Sequence, residues 1–331
     1  MPQGRNDNIQ ITPFSVSVAK ASAPGKLILF GEHFVVYGMP AIATAVEGRT
    51  SAEVRRADRY SLVDDRPETP GYKREKGGQQ AESIKLMFKA MGLDASKASI
   101  ALGGDLVAAS GVGASGASCA AIAAAANAEF GLGLSREEIN DVAYEGEKGY
   151  HGTPSGIDNS CSTWGGFIWF KKGDSGGKSE IRPMESKGRF SIVVGNTGIT
   201  SNTTKVVEDV KAQMERDRAK FDRIFEEYLR MSGEARTALD GNDLHGIGRL
   251  MNENHALLRE IGVSCKELEE MVEASIGAGA LGAKLTGTGR GGLMIALVTD
   301  DTKAKVASAI KGTGFKSEIT GIGAEGVKVI R

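Results

Sequence analysis

Two glycine-rich stretches of this 331-residue chain have residue types that could hold an anion. The first, Gly111-Val112-Gly113-Ala114-Ser115-Gly116-Ala117-Ser118, places three glycines and two hydroxyls ahead of an alanine-rich segment that is predicted to be helical. A helix N-terminus carries unpaired N–H groups and a partial positive charge, and glycine lets a phosphate approach the backbone closely, so this loop is a candidate phosphate cradle. It also satisfies GxGxxG. The helix that follows leads into another helix rather than a strand ending in an acid, which argues against a dinucleotide fold. The plainer account of the loop is a tight turn feeding a packing helix. The second stretch, Gly287-Thr288-Gly289-Arg290-Gly291-Gly292, lies between two predicted strands and could equally be a hairpin with Arg290 at a solvated tip. Neither stretch fits GxxxxGK[ST], so a Walker loop is absent. One such loop in each half suggests a ligand held between the halves.

Charged residues with possible chemistry fall in two further segments. Glu147-Lys-Gly-Tyr150-His-Gly-Thr-Pro-Ser-Gly-Ile-Asp158-Asn159 runs from a helix end into turn residues and bears two carboxylates. Asp158 there could be a base or an electrostatic orienter, or only a turn former or helix cap. Lys26, followed by Gly31-Glu32-His33, adjoins a short apolar strand and could reach an anionic oxygen or simply face solvent. The four histidines, His33, His151, His245 and His255, make no HExxH, and GxSxG, HRD and DFG are all missing.

Composition narrows the classes further. Forty-one Lys and Arg against 42 Asp and Glu leave no global basic field for nucleic acid or an anionic membrane. The apolar runs are far shorter than the ~20 residues that span a bilayer. Residues 1–12 carry no apolar signal region and read as a disordered extension. Three dispersed cysteines, Cys119, Cys161 and Cys265, match neither a zinc site nor a disulfide framework, so a reducing, cytoplasmic setting is expected. Forty-five glycines, about twice the usual ~7%, cluster in loops without a collagen period.

The elements that must position these residues follow from periodicity. Strands are predicted at 14–29 and 41–54, a helix at 79–91, a strand at 98–106, and a helix at 117–130 that Gly131 ends. The capping box Ser135-Arg-Glu-Glu138 opens another helix to about Lys148. Lys171 to Lys178 reads as a linker or hairpin turn, with a domain boundary soon after. Beyond it come a strand at 190–194, helical stretches at 203–259 and 265–276, strands at 283–285 and 293–298, a helix at 301–312 and a last strand at 326–330. Strands and helices mix without a regular βα repeat, which predicts an α+β protein.

In order along the chain, Ala23-Pro-Gly-Lys-Leu-Ile-Leu-Phe-Gly-Glu-His-Phe-Val-Val-Tyr-Gly38, the Gly111–Ser118 loop, His151-Gly-Thr-Pro-Ser-Gly-Ile-Asp-Asn159 and Lys284-Leu-Thr-Gly-Thr-Gly-Arg-Gly-Gly292 resemble the ordered signatures of the GHMP small-molecule kinases. The resemblance spans roughly Ala23 to the C-terminus. It implies a two-domain fold: an extension at 1–13, an ATP-binding domain at 14–188 like domain 2 of ribosomal protein S5, and a ferredoxin-like domain at 189–331, with the active site between them. It further implies ATP and Mg²⁺ as cofactors, with Gly111, Val112, Gly113, Ala114, Ser115, Gly116, Ala117 and Ser118 around the triphosphate and Ser115 and Glu147 as metal ligands. Asp158 and Lys26 would be catalytic. Glu32, His33, Tyr150, Thr203, Gly287, Thr288 and Gly289 would join them around the acceptor. The first and third segments resemble the branch that phosphorylates the 5-hydroxyl of (R)-mevalonate in isoprenoid synthesis. Rival readings are another acceptor, such as homoserine, phosphomevalonate or the mevalonate 3-hydroxyl, and a non-catalytic binding protein. A homodimer is compatible with the resemblance, and oligomeric state is not legible in the residues. Two departures stand out. Ala114 replaces the first of two adjacent serines, and Arg290 stands where glycine is usual, as an added phosphate-facing cation or a subgroup mark.

Overall fold

Strand β1 (Ala19–Phe30) pairs antiparallel with β2 (Pro40–Arg56) along most of its length, and this ribbon carries the rest of the sheet. The computed structural model describes residues 19–107, 111–173, 179–186 and 188–330. The expected extension, the start of the expected first strand and the middle of the 171–178 turn lie outside the described residues. The free edge of β2 is shared by three partners in succession. Pro40–Thr44 pairs with β5 (Phe167–Lys171), Val46 makes a single bridge to Ile322 of β10 (Lys316–Ile322), and Thr50–Arg56 pairs with β4 (Ala98–Gly104). β3 (Ser61–Asp64) joins β4 in parallel, and β6 (Glu180–Pro183) joins β5. A helical turn at Phe34–Tyr37 connects β1 to β2.

Four helices accompany this sheet. In α2 (Ala114–Phe130) twelve residues are buried, mostly alanines, and a helix shielded on nearly all sides belongs inside the fold. Small side chains let it lie against both β1 and β2. α1 (Tyr72–Ala90) and α3 (Arg136–His151) pack together beside it, and α3 opens with the expected capping box, Ser135 accepting from the Glu138 N–H. The short α4 (Ile157–Trp164) follows a left-handed Gly156.

From residue 190 the chain builds β7 (Phe190–Asn196), α5 (Thr203–Arg216), α6 (Arg218–Asp240), α7 (Leu244–Glu260), α8 (Lys266–Gly277), β8 (Gly282–Thr286), β9 (Leu293–Val298), α9 (Lys303–Gly312) and β10. The strand order β10-β7-β9-β8 is antiparallel throughout, with the fourth strand of this half beside its first and the third beside its second. That is the ferredoxin-like arrangement, and the whole is α+β as expected. The last described strand, β11 (Lys328–Ile330), returns to pair antiparallel with β1.

Several elements differ from their sequence reading. α1 begins seven residues earlier than periodicity indicates, because its buried stripe of Ile84, Met87 and Phe88 marks only its second half. α4 and the strands β5 and β6 were not anticipated. Residues 159–163 of α4 have small or polar side chains that are nevertheless buried, and β5 and β6 flank the segment expected as a linker or hairpin turn. The helical stretch at 203–259 is broken twice, where Asp217 and Asp243 cap α6 and α7 by accepting backbone N–H bonds.

α7 lies against β8 with no side chain between them at one point. A Cβ on Gly282 would stand 2.1 Å from the Gly248 carbonyl oxygen, and one on Gly248 would stand 2.5 Å from that of Leu281. Backbone cannot move aside as a flexible side chain can. Gly282→Ala should therefore lower the free energy of unfolding by about 1–3 kcal/mol, read as a lower urea midpoint at unchanged slope.

Candidate active site

The polar residues converge where the N-termini of α2 and α4 meet β1. The pairing of β1 with β2 shifts register between Pro24 and Lys26, and the Lys26 N–H donates to the Val112 carbonyl at 2.7 Å. This docks the glycine loop on the strand. α4 is fastened to the same strand by Ser162, whose hydroxyl donates to the Pro24 carbonyl at 2.8 Å. Lys26 Nζ then stands 3.4 Å from Asp158 Oδ1, with both side chains partly open to solvent. Gly113 takes a φ of +72° ahead of α2, and a Cβ there would fall 2.7 Å from Lys26 Cγ and 3.2 Å from Asp158 Oδ1. At Gly116 a Cβ would be 2.7 Å from the Asp158 carbonyl carbon. The glycines thus bring two helix N-termini, each with unpaired N–H groups, to one ion pair.

Glu147, near the end of α3, is 1% exposed. Burial, aided by the neighbouring Asp158 charge, pushes its carboxyl up to about 8 against an ordinary 4.5, while Ser115 and Lys26 pull it down. His151 Nε2 lies 3.8 Å from Glu147 and 3.4 Å from the Ser115 hydroxyl. Two carboxylates beside one lysine leave the cluster short of positive charge. Among the described residues no three His, Cys, Asp or Glu side chains form a ready metal cage.

A second cluster gathers residues from both halves of the chain. His33 Nε2 lies 2.6 Å from the Thr288 carbonyl, so that nitrogen carries the hydrogen, and burial holds the imidazole below its ordinary pKa. Thr203 and Thr288 share a hydroxyl hydrogen bond of 2.9 Å. Glu32 is fully buried and ion-paired with Lys284. Gly287 has open space where a side chain would be, whereas Gly289 lies against the Val263 carbonyl.

Three further residues have partners within the fold. The Ser118 hydroxyl is buried, donating to the Ala114 carbonyl at 2.7 Å and accepting from the Arg66 guanidinium, which ties it to the helix interior. Burial raises the Tyr150 phenol, with Cys119, Arg66, Tyr72 and Glu147 near enough to act on it. Arg290 is engaged by its neighbours. Its guanidinium pairs with Asp209 of α5 and donates to the Gly262 carbonyl, and its φ of +53° is the left-handed backbone that glycine adopts without strain. Sequence reasoning missed Arg66 and Lys284. Arg66 joins Asp64 on β3 to the first turns of α2 from within an unpatterned turn, and Lys284 was visible only as the first residue of the fourth segment.

Two outcomes follow from this geometry. Gly113→Ala should cost Lys26 its position, raising the KM for a nucleotide at least tenfold while the melting temperature falls by only a few degrees; unchanged kinetics would show that the loop is not a cradle. For Glu147, the folded pKa lies above the unfolded one, so the native state keeps a proton that the unfolded chain loses between about pH 4.5 and 8. Stability contributed by this group is present below that window and falls as pH rises through it. Without metal, Glu147→Gln should thus melt progressively higher than the parent as pH rises from 5 to 8, by several degrees at the upper end.

Known proteins share both halves of this chain. Residues 80–166 match the GHMP kinases N terminal domain, and residues 235–316 match the GHMP kinases C terminal model. A curated mevalonate kinase of Pyrococcus horikoshii is 36% identical over 95% of this chain and 98% of its own length. That of Thermococcus sibiricus is 35% identical over 93% and 97%. The crystal structure of L. major mevalonate kinase in complex with R-mevalonate superposes with a TM-score of 0.85 at 38% identity, covering 93% of this chain and 96% of that one. With identity of this degree over nearly the full length, the chain belongs to the mevalonate kinases, a branch of the GHMP kinase family.

Proposed function

We propose that the protein transfers the γ-phosphoryl group of ATP to the 5-hydroxyl of (R)-mevalonate, giving 5-phosphomevalonate and ADP. The observation that carries this reading is the Lys26–Asp158 pair at the meeting of two helix N-termini, 3.4 Å apart and partly open. Phosphoryl transfer needs positioning and charge neutralisation more than covalent participation by the protein. In this reading Asp158 accepts a hydrogen bond from the acceptor hydroxyl and receives its proton as the new O–P bond forms and the bond to the ADP oxygen breaks. Lys26 and the N–H groups of Gly113 to Gly116 offset the charge on the phosphoryl oxygens. Glu32, His33, Thr203 and Gly287 to Gly289 border the acceptor end, and the mevalonate held by the L. major relative supports that choice of alcohol.

Glu147 and Ser115 suit a single Mg²⁺. A carboxyl that burial, with the Asp158 charge beside it, holds protonated up to about 8 is the donor a hard cation would ionise, and a neighbouring hydroxyl supplies a second oxygen. Bound there, the ion would neutralise phosphate oxygens of ATP. Mg²⁺ commonly keeps several waters and takes part of its shell from nucleotide phosphates, so one carboxylate and one hydroxyl would suffice. The division at about residue 188 belongs to the same reading, since β6 ends at Pro183 and β7 begins at Phe190. Free cysteines, two of them buried, suit a cytoplasmic enzyme. Among the described residues no helix is long and apolar enough to cross a membrane.

The test is coupled ADP release with equal concentrations of mevalonate, 5-phosphomevalonate, homoserine and galactose, with phosphorus NMR of the product. Mevalonate alone should turn over, and a 3-phosphorylated product or faster turnover of another alcohol would overturn the acceptor. Asp158→Asn should lower kcat by ~10²–10⁴ while Mg·ATP affinity stays within a few-fold. Retention of more than a tenth of the parent kcat would remove Asp158 from the chemistry.

A further inference from the structure

Among the described residues, Glu32 and Lys284 form the ion pair in which neither side chain has any exposure. Lys284 also donates to the Leu285 carbonyl at 2.8 Å, while the second Glu32 oxygen, Oε2, is shielded from solvent without a partner. The pair does not stand alone. Two residues further along, the Thr286 hydroxyl donates to the Ile28 carbonyl at 2.8 Å, and two further still the Thr288 carbonyl accepts from His33. Lys284 and Thr286, two apart on the extended β8, face the same way, and Thr288 lies in the turn that follows. One face of β8 and the turn after it are therefore fastened to the end of β1 and to the turn that follows β1. β1 is the strand that carries Lys26.

A buried ion pair is a poor source of stability. Removing both charges from water costs about as much as their attraction returns, and apolar residues of similar volume often replace such pairs without loss. What it supplies is a fixed direction, because an unpaired charge at either position would be far more costly. Lys284 is backed by His255, which accepts the Leu285 N–H through Nδ1 and is pushed down to about 4 by burial, so in its neutral state it adds no second cation.

We propose that Lys284 is a positioning residue for the acceptor end of the cleft: through Glu32 it sets the Glu32–His33 turn against the Thr288 loop and holds both in register with Lys26 and Asp158. The proposal rests on the reading of that end as the acceptor site. It assigns Lys284 no contact with the substrate. Its loss should be felt in acceptor kinetics and in the His33 contact, not in nucleotide binding.

The test is a cycle of Lys284→Met, Glu32→Leu and the double variant, with Lys284→Arg as the conservative change. Single variants that strand one buried charge can fail to fold, so the double variant is decisive. It should melt within a few degrees of the parent and bind a fluorescent ATP analogue within twofold, yet lose ~10- to 100-fold in kcat/KM for the acceptor, as a misplacement near 1 Å produces. Wherever the singles fold, Lys284→Met should cost nothing further in the Glu32→Leu background, and Lys284→Arg should recover part of the loss. A folded double variant with parental kcat/KM, or an equal fall in nucleotide affinity, overturns the proposal. An activity-free readout separates it from the choice of alcohol. Imidazole NMR of the ligand-free protein should show His33 held in the Nε2–H form in the parent and as a tautomer mixture in the double variant. A parental His33 signal in the double variant sinks the positioning role whichever alcohol is the substrate. A changed His33 signal in an enzyme inactive on mevalonate sinks only the acceptor reading.

Discussion

Helix α2 must start within contact distance of Lys26 and Asp158, and only glycine permits that approach. A Cβ at Gly113 would overlap the lysine stem, and one at Gly116 would overlap the backbone of Asp158 and Asn159. The remaining architecture supports this contact. The alanine body of α2 sinks it against β1 and β2, and Ser118 ties its first turns to Arg66 and so to β3. Ser162 holds α4 to β1 from the other side. The cleft exists because two helices end on one strand with no side chain between them.

The same closeness creates an electrostatic imbalance. Glu147, Asp158 and Lys26 sense one another strongly enough that burial and like charge raise Glu147 to about 8. A protein selected for stability alone would have no reason to keep that carboxyl buried. Under the proposed function that cost would be offset when a cation and an anionic ligand arrive together. Ala114 in place of a second hydroxyl does not alter this balance, since Ser115 sits beside Glu147 and the charge-bearing groups are all retained.

How much of this was legible in the sequence depends on whether a signal was local. The Ser135–Glu138 capping box, the small-residue run of α2 and the order of the four motif segments are local, and they anticipated the α+β class, the glycine loop that opens α2 and the convergence of Lys26 with Asp158. α4 escaped because buried Asn159, Ser160, Ser162 and Thr163 carry no hydrophobic period. The first half of α1 escaped for the same reason. Arg66 and Lys284 are known by their partners, which lie 52 and 252 residues away, and no spacing rule reaches that far. For Arg290 the sequence shows only a charge in a glycine loop, whereas its left-handed backbone and its bond to Asp209 also brace that loop against α5.

Strand β1 finally joins the two polar clusters. Lys26 lies beside the glycine loop, Ile28 meets Thr286, and the strand runs on into Glu32 and His33 facing β8 and the Thr288 loop. Both clusters therefore share one backbone, itself held along its length by β2. The first is built around backbone and glycine, which few substitutions can change without collapse of the contact. The second is built from side chains and backbone of both halves of the chain, where a single replacement alters shape or charge. Under the proposed function, the fold would thus set recognition of the nucleotide, and the groups gathered at the end of β1 recognition of the alcohol.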